Sequence, residues 1–486
     1  MQPLNWADLN LMLMAPELWM TLLSCVVLAI DFIWPKVSKT KLGYLSIAGM
    51  GLITAQLVGF AIQGKNGSLF NSMFVLDPLA IFFKIFILVS TILVVLVSIN
   101  YVEKLPLFRG EYYYLVLFAA IGMMFMASAN DFLSLFITLE FSTFGFYILV
   151  AYLRDNFKSN EAAIKFFILG VLAAALIAYG ISLIYGATGT IYFREIAAMP
   201  NKNSVGMMLG LLFIFVGLGF KIGAVPFHNW IPDVYEGAPT PVTTYLSITP
   251  KAAAFALILR VMFSTFGELR AEWTWFIAAL SVLSMTYGNI TAIAQTNMKR
   301  LLAYSGIAQI GNILIGMAAG TKMGSDSLLF YMLTYLFANL GAFTVVIIFS
   351  NLTNTDDIDD LAGLNRRSPL LAFAMLVFLL SLAGVPPLAG FIGKVYIFAA
   401  AVHQKMFFLV TVGLINVIIS FYYYLIVVKK IYTLEPKETT PIHLSMPLKV
   451  VIYAGIAGVI LLGVWPQPFI EFSVAATSVF TGLAAR

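Results

Sequence analysis

Apolar runs of about 20 residues, the length that crosses a bilayer as helix, follow one another along almost the whole chain. Short polar or charged stretches separate them. None alternates apolar and polar positions as barrel strands do, so helices are the way this backbone satisfies itself in lipid. The pattern predicts helices near residues 9–34, 42–62, 74–100, 111–128, 131–153, 160–186, 206–232, 240–265, 273–293, 300–320, 326–351, 369–402, 406–432 and 446–465. That is an all-α integral membrane protein with about 14 spans. The run 369–402 is too long for one straight crossing and predicts a broken or sharply tilted helix. The tail beyond Trp465 is expected at the interface.

Composition agrees. Of 486 residues, 61% are hydrophobic and 10% are charged, against roughly 45–50% and about 25% in soluble domains. The opening MQPLNWADLNLMLM has no positively charged leader, which predicts a retained first helix. Cys25 is the single cysteine, which excludes an internal disulfide, an iron–sulfur site or a cysteine zinc cage. His228, His403 and His443 lie near helix ends or in loops, which argues against a bis-histidine haem. The net charge of +5 calls for no nucleic acid; its loop distribution explains it. Fifteen lysines and arginines lie in or beside odd-numbered loops and seven in even-numbered loops and the C-terminus. Basic residues favour the cytoplasm, so odd loops face inward and both termini outward.

Six basic residues remain inside apolar runs: Lys84, Lys165, Lys221, Lys251, Arg260 and Lys394. A charge at the bilayer centre costs at least ~2.5–3.5 kcal/mol. Snorkelling is a sufficient reading of Arg260, at the end of its segment, and competes evenly with burial for Lys84. It serves Lys165 less well and Lys221, Lys251 and Lys394 poorly. Glu140, in LSLFITLEFSTFGFYILV, is the clearest deep carboxylate and the first choice of partner for Lys221. A lysine held between a counter-ion and desolvation can titrate, which suits a proton relay. Prolines sharpen the picture: Pro226 follows Lys221, Pro250 precedes Lys251, and Pro386-Pro387 precede Lys394. At membrane depth such breaks survive only inside protein or beside a wet cavity. GAVP (223–226) and AGVP (383–386), in the seventh and twelfth segments, suggest two inverted five-helix repeats. The implied divisions are 1–110, 111–266 (helices 4–8), 267–435 (helices 9–13) and 436–486. His228 is either a proton carrier in the break or an interfacial residue. GLGFKIG lacks Walker spacing, no Ser/His/Asp constellation stands out, and TDDIDD (355–360) reads as a solvated loop.

FKIGAVPFHNWIPDVYEGAPTPVTTYLSITPKAAA (220–254) resembles the signature of the antiporter-like subunits of respiratory complex I. The VYEGAPTPVT form is similar to the subunit N (chain 2) branch and to its counterpart in the NAD(P)H:plastoquinone oxidoreductase of cyanobacteria and chloroplasts. RDNFKSNEAAIKFFILG (154–170), AIAQTNMKRLLAYSGIAQIGN (292–312) and SLAGVPPLAGFIGKVYIF (381–398) extend the likeness over about residues 140–424. It implies proton translocation, coupled to quinone reduction elsewhere in a multi-subunit assembly. By motif, Glu140 and Lys221 match the gating pair, Lys165 the sixth-helix lysine, Lys251 the central lysine and Lys394 the lysine towards the outer exit. Protons would enter from the cytoplasm. No cofactor is expected in this chain; flavin, iron–sulfur clusters and quinone belong to partner subunits. Many relatives carry histidine at Gln309, and glutamine cannot titrate, although it can order water. A multi-subunit Na⁺/H⁺ antiporter subunit is the alternative of shared ancestry, and a scaffold with relic lysines a third reading.

Overall fold

The computed structural model describes residues 10–104, 110–199, 204–353, 355–438 and 440–483. The first nine residues of the opening stretch, and Arg109, Lys202 and Arg486 of the charge count, lie outside them. The first helices are α1 (Ala15–Ile33) and α2 (Lys39–Ile62), then a small hairpin of β1 (Gly67–Leu69) and β2 (Phe74–Leu76), then α3 (Pro78–Val102). There follow α4 (Glu111–Ser128), α5 (Phe132–Val150), α6 (Phe157–Thr188), short α7 (Phe193–Ala197), α8 (Val205–Ile222), α9 (Trp230–Gly237) and α10 (Thr240–Leu259). The second part holds α11 (Arg270–Ile293), α12 (Met298–Ala318), α13 (Lys322–Thr353), α14 (Leu364–Arg367), α15 (Pro369–Ala383), α16 (Ala389–His403), α17 (Phe407–Thr433), α18 (Met446–Val464) and α19 (Gln467–Ala476).

Among the described residues, 13 helices are long and apolar enough to cross a membrane. With α15 and α16 as one broken crossing they match the predicted segments one for one. Helices α3, α10, α12 and α13 form the centre and are buried on nearly every side, as helices apolar all round should be. Helices α2, α6 and α17 are peripheral and turn large apolar side chains such as Leu52, Ile168 and Ile418 outward. Cys25 on α1 is exposed on that outer surface.

The seventh and twelfth segments are broken as expected. Helix α8 stops at Gly223 (φ 77°) and α15 at Gly384 (φ 91°), both left-handed, a conformation in which a side chain is strained. Each break closes the same way: the N–H groups of Ala224 and Val385 reach back five residues, to Gly219 O (2.9 Å) and Leu380 O (3.0 Å). Pro250 departs from expectation. It lies inside α10, which runs through it without interruption, as membrane helices can where packed neighbours compensate the backbone that a proline frees. The tail packs against α3 and α13, with Phe472 4.9 Å from Phe82 and Thr477 hydrogen-bonded to buried Asp326.

TDDIDD is not simply a solvated loop. Asp356 pairs with Lys299 at 2.9 Å, Asp359 with Lys430 and Asp360 with Lys437. Met298 N–H donates to Asp356 O (2.7 Å), so the acidic turn ties the start of α12 to the end of α17. Lys437 holds the Asp360 carboxyl below its ordinary range through their hydrogen bond.

Candidate functional site

Lys221 sits in the last turn of α8, where a cation meets the negative end of the helix dipole. Its Nζ is 3.2 Å from Glu140 Oε1 and donates to Thr143 Oγ1 at 2.8 Å. Both acceptors come from α5, one turn apart, so a single helix face presents them. Polar backbone freed by the break is accounted for: Trp230 Nε1 donates to Phe220 O (3.0 Å) and Ser284 Oγ accepts from Val225 N (2.9 Å). His228 lies in the break, buried, with its ring 4.5 Å from Tyr287. Its Nδ1 has no partner among the described residues.

A cavity of about 30 Å³ lies between Lys221 and the turn of α10 that carries Pro250, with Ser142, Thr143 and Trp230 also on its wall. That is enough for one or two waters where polar groups line the space. A far larger groove, about 1120 Å³, opens on the surface between α4, α5 and α6 and touches none of the six predicted site residues.

Lys251 follows on α10. It is 2% exposed, and its Nζ finds no hydrogen-bond acceptor among the described residues. The Tyr235 ring lies 5.6 Å from the ammonium, a favourable placement for a cation. Gly306 of α12 leaves the space beside it. A Cβ there would stand 3.6 Å from Lys251 Nζ and 3.0 Å from Tyr335 Oη, so the glycine lets these two groups share one compartment. Tyr335 belongs to a polar stripe on α13, Ser327, Tyr331, Tyr335 and Asn339, spaced four apart and buried.

One turn along the stripe from Tyr335, the Tyr331 hydroxyl donates to Gln309 Oε1. Gln309 is a hub: its Nε2 donates to Leu382 O (3.0 Å) and to Tyr424 Oη (3.4 Å), while Oε1 also accepts from Asn312 (3.0 Å). Tyr424 in turn bonds Ser305. Leu382 O then accepts from Lys394 Nζ at 2.9 Å, and Ala383 O does so at 2.7 Å. These are the orphan carbonyls at the end of α15, so the twelfth-segment break itself builds the seat of Lys394.

Glu140 pairs with Lys221, and a small cavity runs from Lys221 to the Pro250 turn next to Lys251. Gly306 brings Lys251 and Tyr335 into one compartment, and the Gln309 hub meets Lys394 at the Leu382 carbonyl. Lys165 is not among them. It is half-exposed on the predicted cytoplasmic rim, 2.7 Å from both Asp233 and Glu161. Arg300 links that rim by donating to Asp233 Oδ1 and Glu236 Oε2, each at 3.0 Å, and Lys158 adds Glu236 at 2.8 Å.

Two expectations need correction. Arg260 does not snorkel: it is 3% exposed and forms a two-pronged pair with Asp77, 2.8 and 2.7 Å, while also donating to Ala127 O. The partner at the start of α3 leaves the guanidinium no reason to reach headgroups. Nor is Glu140 the deepest carboxylate. Glu17, in the first turn of α1, is fully buried against Lys84, 2.5 Å away. Its position at a helix end hid it, whereas the i+4 spacing of Tyr331, Tyr335 and Asn339 was visible in the sequence as a polar stripe.

A fold of many apolar helices, with two broken spans and a buried basic line between them, defines a membrane subunit of the antiporter-like class. The family model described as NADH:quinone oxidoreductase/Mrp antiporter, TM, matches residues 129–420, and the chain belongs to that family. The NADH-quinone oxidoreductase subunit N of Desulforamulus reducens is 44% identical over 97% of this chain and 99% of its own. The NAD(P)H-quinone oxidoreductase subunit 2 of a Nostoc species is 42% identical over 91% of this chain and 86% of its own. A chain of respiratory complex I from Thermus thermophilus superposes with TM-score 0.81 at 33% identity, covering 95% of this chain and 99% of that one. This chain is thus a multi-span membrane protein of the NADH:quinone oxidoreductase/Mrp antiporter family, similar over nearly its whole length to subunit N of NADH-quinone oxidoreductases.

Proposed function

We propose that the chain carries protons across the bilayer along Glu140/Lys221, Lys251 and Lys394, while partner subunits holding flavin, iron–sulfur clusters and quinone pass the electrons. The observation that carries this is the succession of three deep lysines, Lys221, Lys251 and Lys394, with polar groups in the intervals between them. Isolated charges at this depth are costly, and a purely structural role would not require three. Lys221 takes a proton from the cytoplasmic side, and movement of Glu140 away from it lowers its hold on that proton. The proton passes by way of water in the small cavity towards Lys251, across the Gly306 notch beside Tyr335, and by water alongside the polar stripe of α13 to Lys394, which takes it up as it gives its own to the outer side. Gln309 cannot gain or lose a proton near neutral pH, so it carries none itself; its hydrogen bonds hold Tyr331, Tyr424 and the Leu382 carbonyl in place beside that route. Residues 111–266 and 267–435 would form two inverted halves, each contributing one break. The membrane would be the bacterial plasma membrane, with both termini outside. Sodium exchange is the alternative, supported here by shared family membership alone.

Lys221→Ala or Glu140→Gln in the assembled complex is expected to reduce proton pumping and coupled quinone reduction with little loss of subunit abundance. Wild-type rates of both in either variant would sink this role. Gly306→Ala, which places a methyl group between Lys251 and Tyr335, is expected to slow pumping several-fold while abundance stays close to wild type. Vesicle acidification rates check it.

A further inference from the structure

Helix α11 carries no lysine, yet four of its residues within a turn and a half reach towards both breaks. Ser284 Oγ accepts from Val225 N at 2.9 Å, in the first break. Three residues on, the Tyr287 ring meets that of His228, 4.5 Å between centroids. Gly288, the next residue, lies against α12: a Cβ there would stand 2.7 Å from Ala308 N and 2.8 Å from Tyr304 O. Ala308 is the chain neighbour of Gln309, whose Nε2 donates to the Leu382 carbonyl that also seats Lys394.

Asn289, one residue further, reaches the same hub by a second path. It is buried and accepts from the Tyr423 hydroxyl at 3.0 Å. Its Nδ2 donates to Asn416 Oδ1 (3.1 Å) and Asn416 O (3.2 Å), and Asn416 returns a bond to α11 at Thr286 Oγ1, 3.3 Å. The Tyr423 ring packs on that of Tyr424, 4.4 Å between centroids. Tyr424 Oη in turn accepts from Gln309 Nε2 at 3.4 Å. Helix α11 thus holds the backbone of the first break directly and the hub of the second through both α12 and α17.

Ser284 and Asn289 are five residues apart, about 7.5 Å along a helix, and that segment has little room to move alone. Gly311 of α12 faces back at it: a Cβ there would stand 2.6 Å from Met285 N, and Ser281 Oγ donates to Gly311 O at 2.7 Å. The two glycines let the backbones of α11 and α12 touch, the close approach that small residues give membrane helices. Packing this tight transmits displacement instead of absorbing it. We infer that residues 284–289 of α11 form a brace that couples the two breaks, with Ser284 and Asn289 as positioning residues. When Glu140 leaves Lys221 and the first break shifts, the brace moves Gln309, and with it the Leu382 carbonyl on which Lys394 rests. Release at Lys394 is thereby kept in step with uptake at Lys221. This rests on the proton-carrying reading above and adds the element that synchronises its two ends.

The test is the number of protons pumped per quinone reduced, measured on the assembled complex in proteoliposomes with electron donor and quinone. Ser284→Ala removes the acceptor of Val225 N; Tyr423→Phe removes the hydroxyl bonded to Asn289 and keeps the ring. Each is expected to lower that ratio at least about twofold at near-wild-type abundance, the lower end of what such couplings carry. The double variant is expected to fall no further than the lower single, whereas independent sites would multiply to about fourfold. A wild-type ratio in an assembled single variant would overturn the brace, and so would a multiplicative double. A role in packing alone gives that wild-type ratio, because it lowers abundance and both rates together. If Ser284→Ala does not assemble, Tyr423→Phe carries the single-variant test. Lys251→Met separates the brace from the route. If it stops pumping while Ser284→Ala and Tyr423→Phe keep the wild-type ratio, the brace falls and the route stands; if it pumps normally, the route falls and the brace with it.

Discussion

Lys251→Met is expected to make the subunit more stable and the complex unable to pump. The ammonium is buried, has no acceptor among the described residues and enjoys only the Tyr235 ring. Replacing it with a side chain of similar length and volume removes a charge that costs at least ~2.5–3.5 kcal/mol at this depth. No hydrogen-bond partner is left behind, which is the usual source of loss when a buried polar group is deleted. Thermal unfolding of the purified complex should therefore show this subunit melting at an equal or higher temperature. Proton transfer should fall by at least about tenfold, because the route has no other amine between Lys221 and Lys394 and each ~1.4 kcal/mol of barrier is a decade in rate. A stabilised and inactive variant is the signature of a residue kept for its chemistry rather than its packing. A destabilised one with normal pumping would assign Lys251 the opposite role.

Asp77→Ala is expected to be among the most damaging single changes for folding. It strips Arg260 of its counter-ion in a site 3% exposed and removes the cap on Ala80 N. Breaking a buried pair by deleting one partner costs about 3–5 kcal/mol, and loss of an N-cap adds roughly 1 kcal/mol. That is a large part of the whole stability of a typical domain. The subunit should be nearly absent from membranes by immunoblot, and the complex unassembled. Asp77→Asn combined with Arg260→Gln should restore much of the abundance, because no charge is then left without its partner. Equal abundance of Asp77→Ala and wild type would show that the pair contributes nothing to folding.

Much of the architecture was legible in the sequence because lipid imposes two simple demands, segment length and internal satisfaction of the backbone. The breaks at Gly223 and Gly384 were readable for the same reason, since glycine and proline at membrane depth have few other uses. Glu140 with Lys221 was recoverable as a lone deep acid among deep amines. What failed was long-range pairing. Glu17 and Lys84 lie on different helices, and so do Asp77 and Arg260, so nothing local announces them; each seemed peripheral because one partner stands at a helix start. Pro250 misled because a proline's effect depends on the helices packed round it. The Gln309 hub was invisible for a related reason: its value comes from the Leu382 carbonyl, which only the twelfth-segment break exposes. Lys165 had a matching motif yet lies on the rim, paired with Asp233 rather than with the buried line.

Acidification of proteoliposomes by the Lys251→Met complex, started with electron donor and quinone after assembly is confirmed, tests the buried-lysine route most directly. The expected result is an intact complex with proton movement reduced at least about tenfold. Wild-type acidification by the fully assembled variant would contradict it.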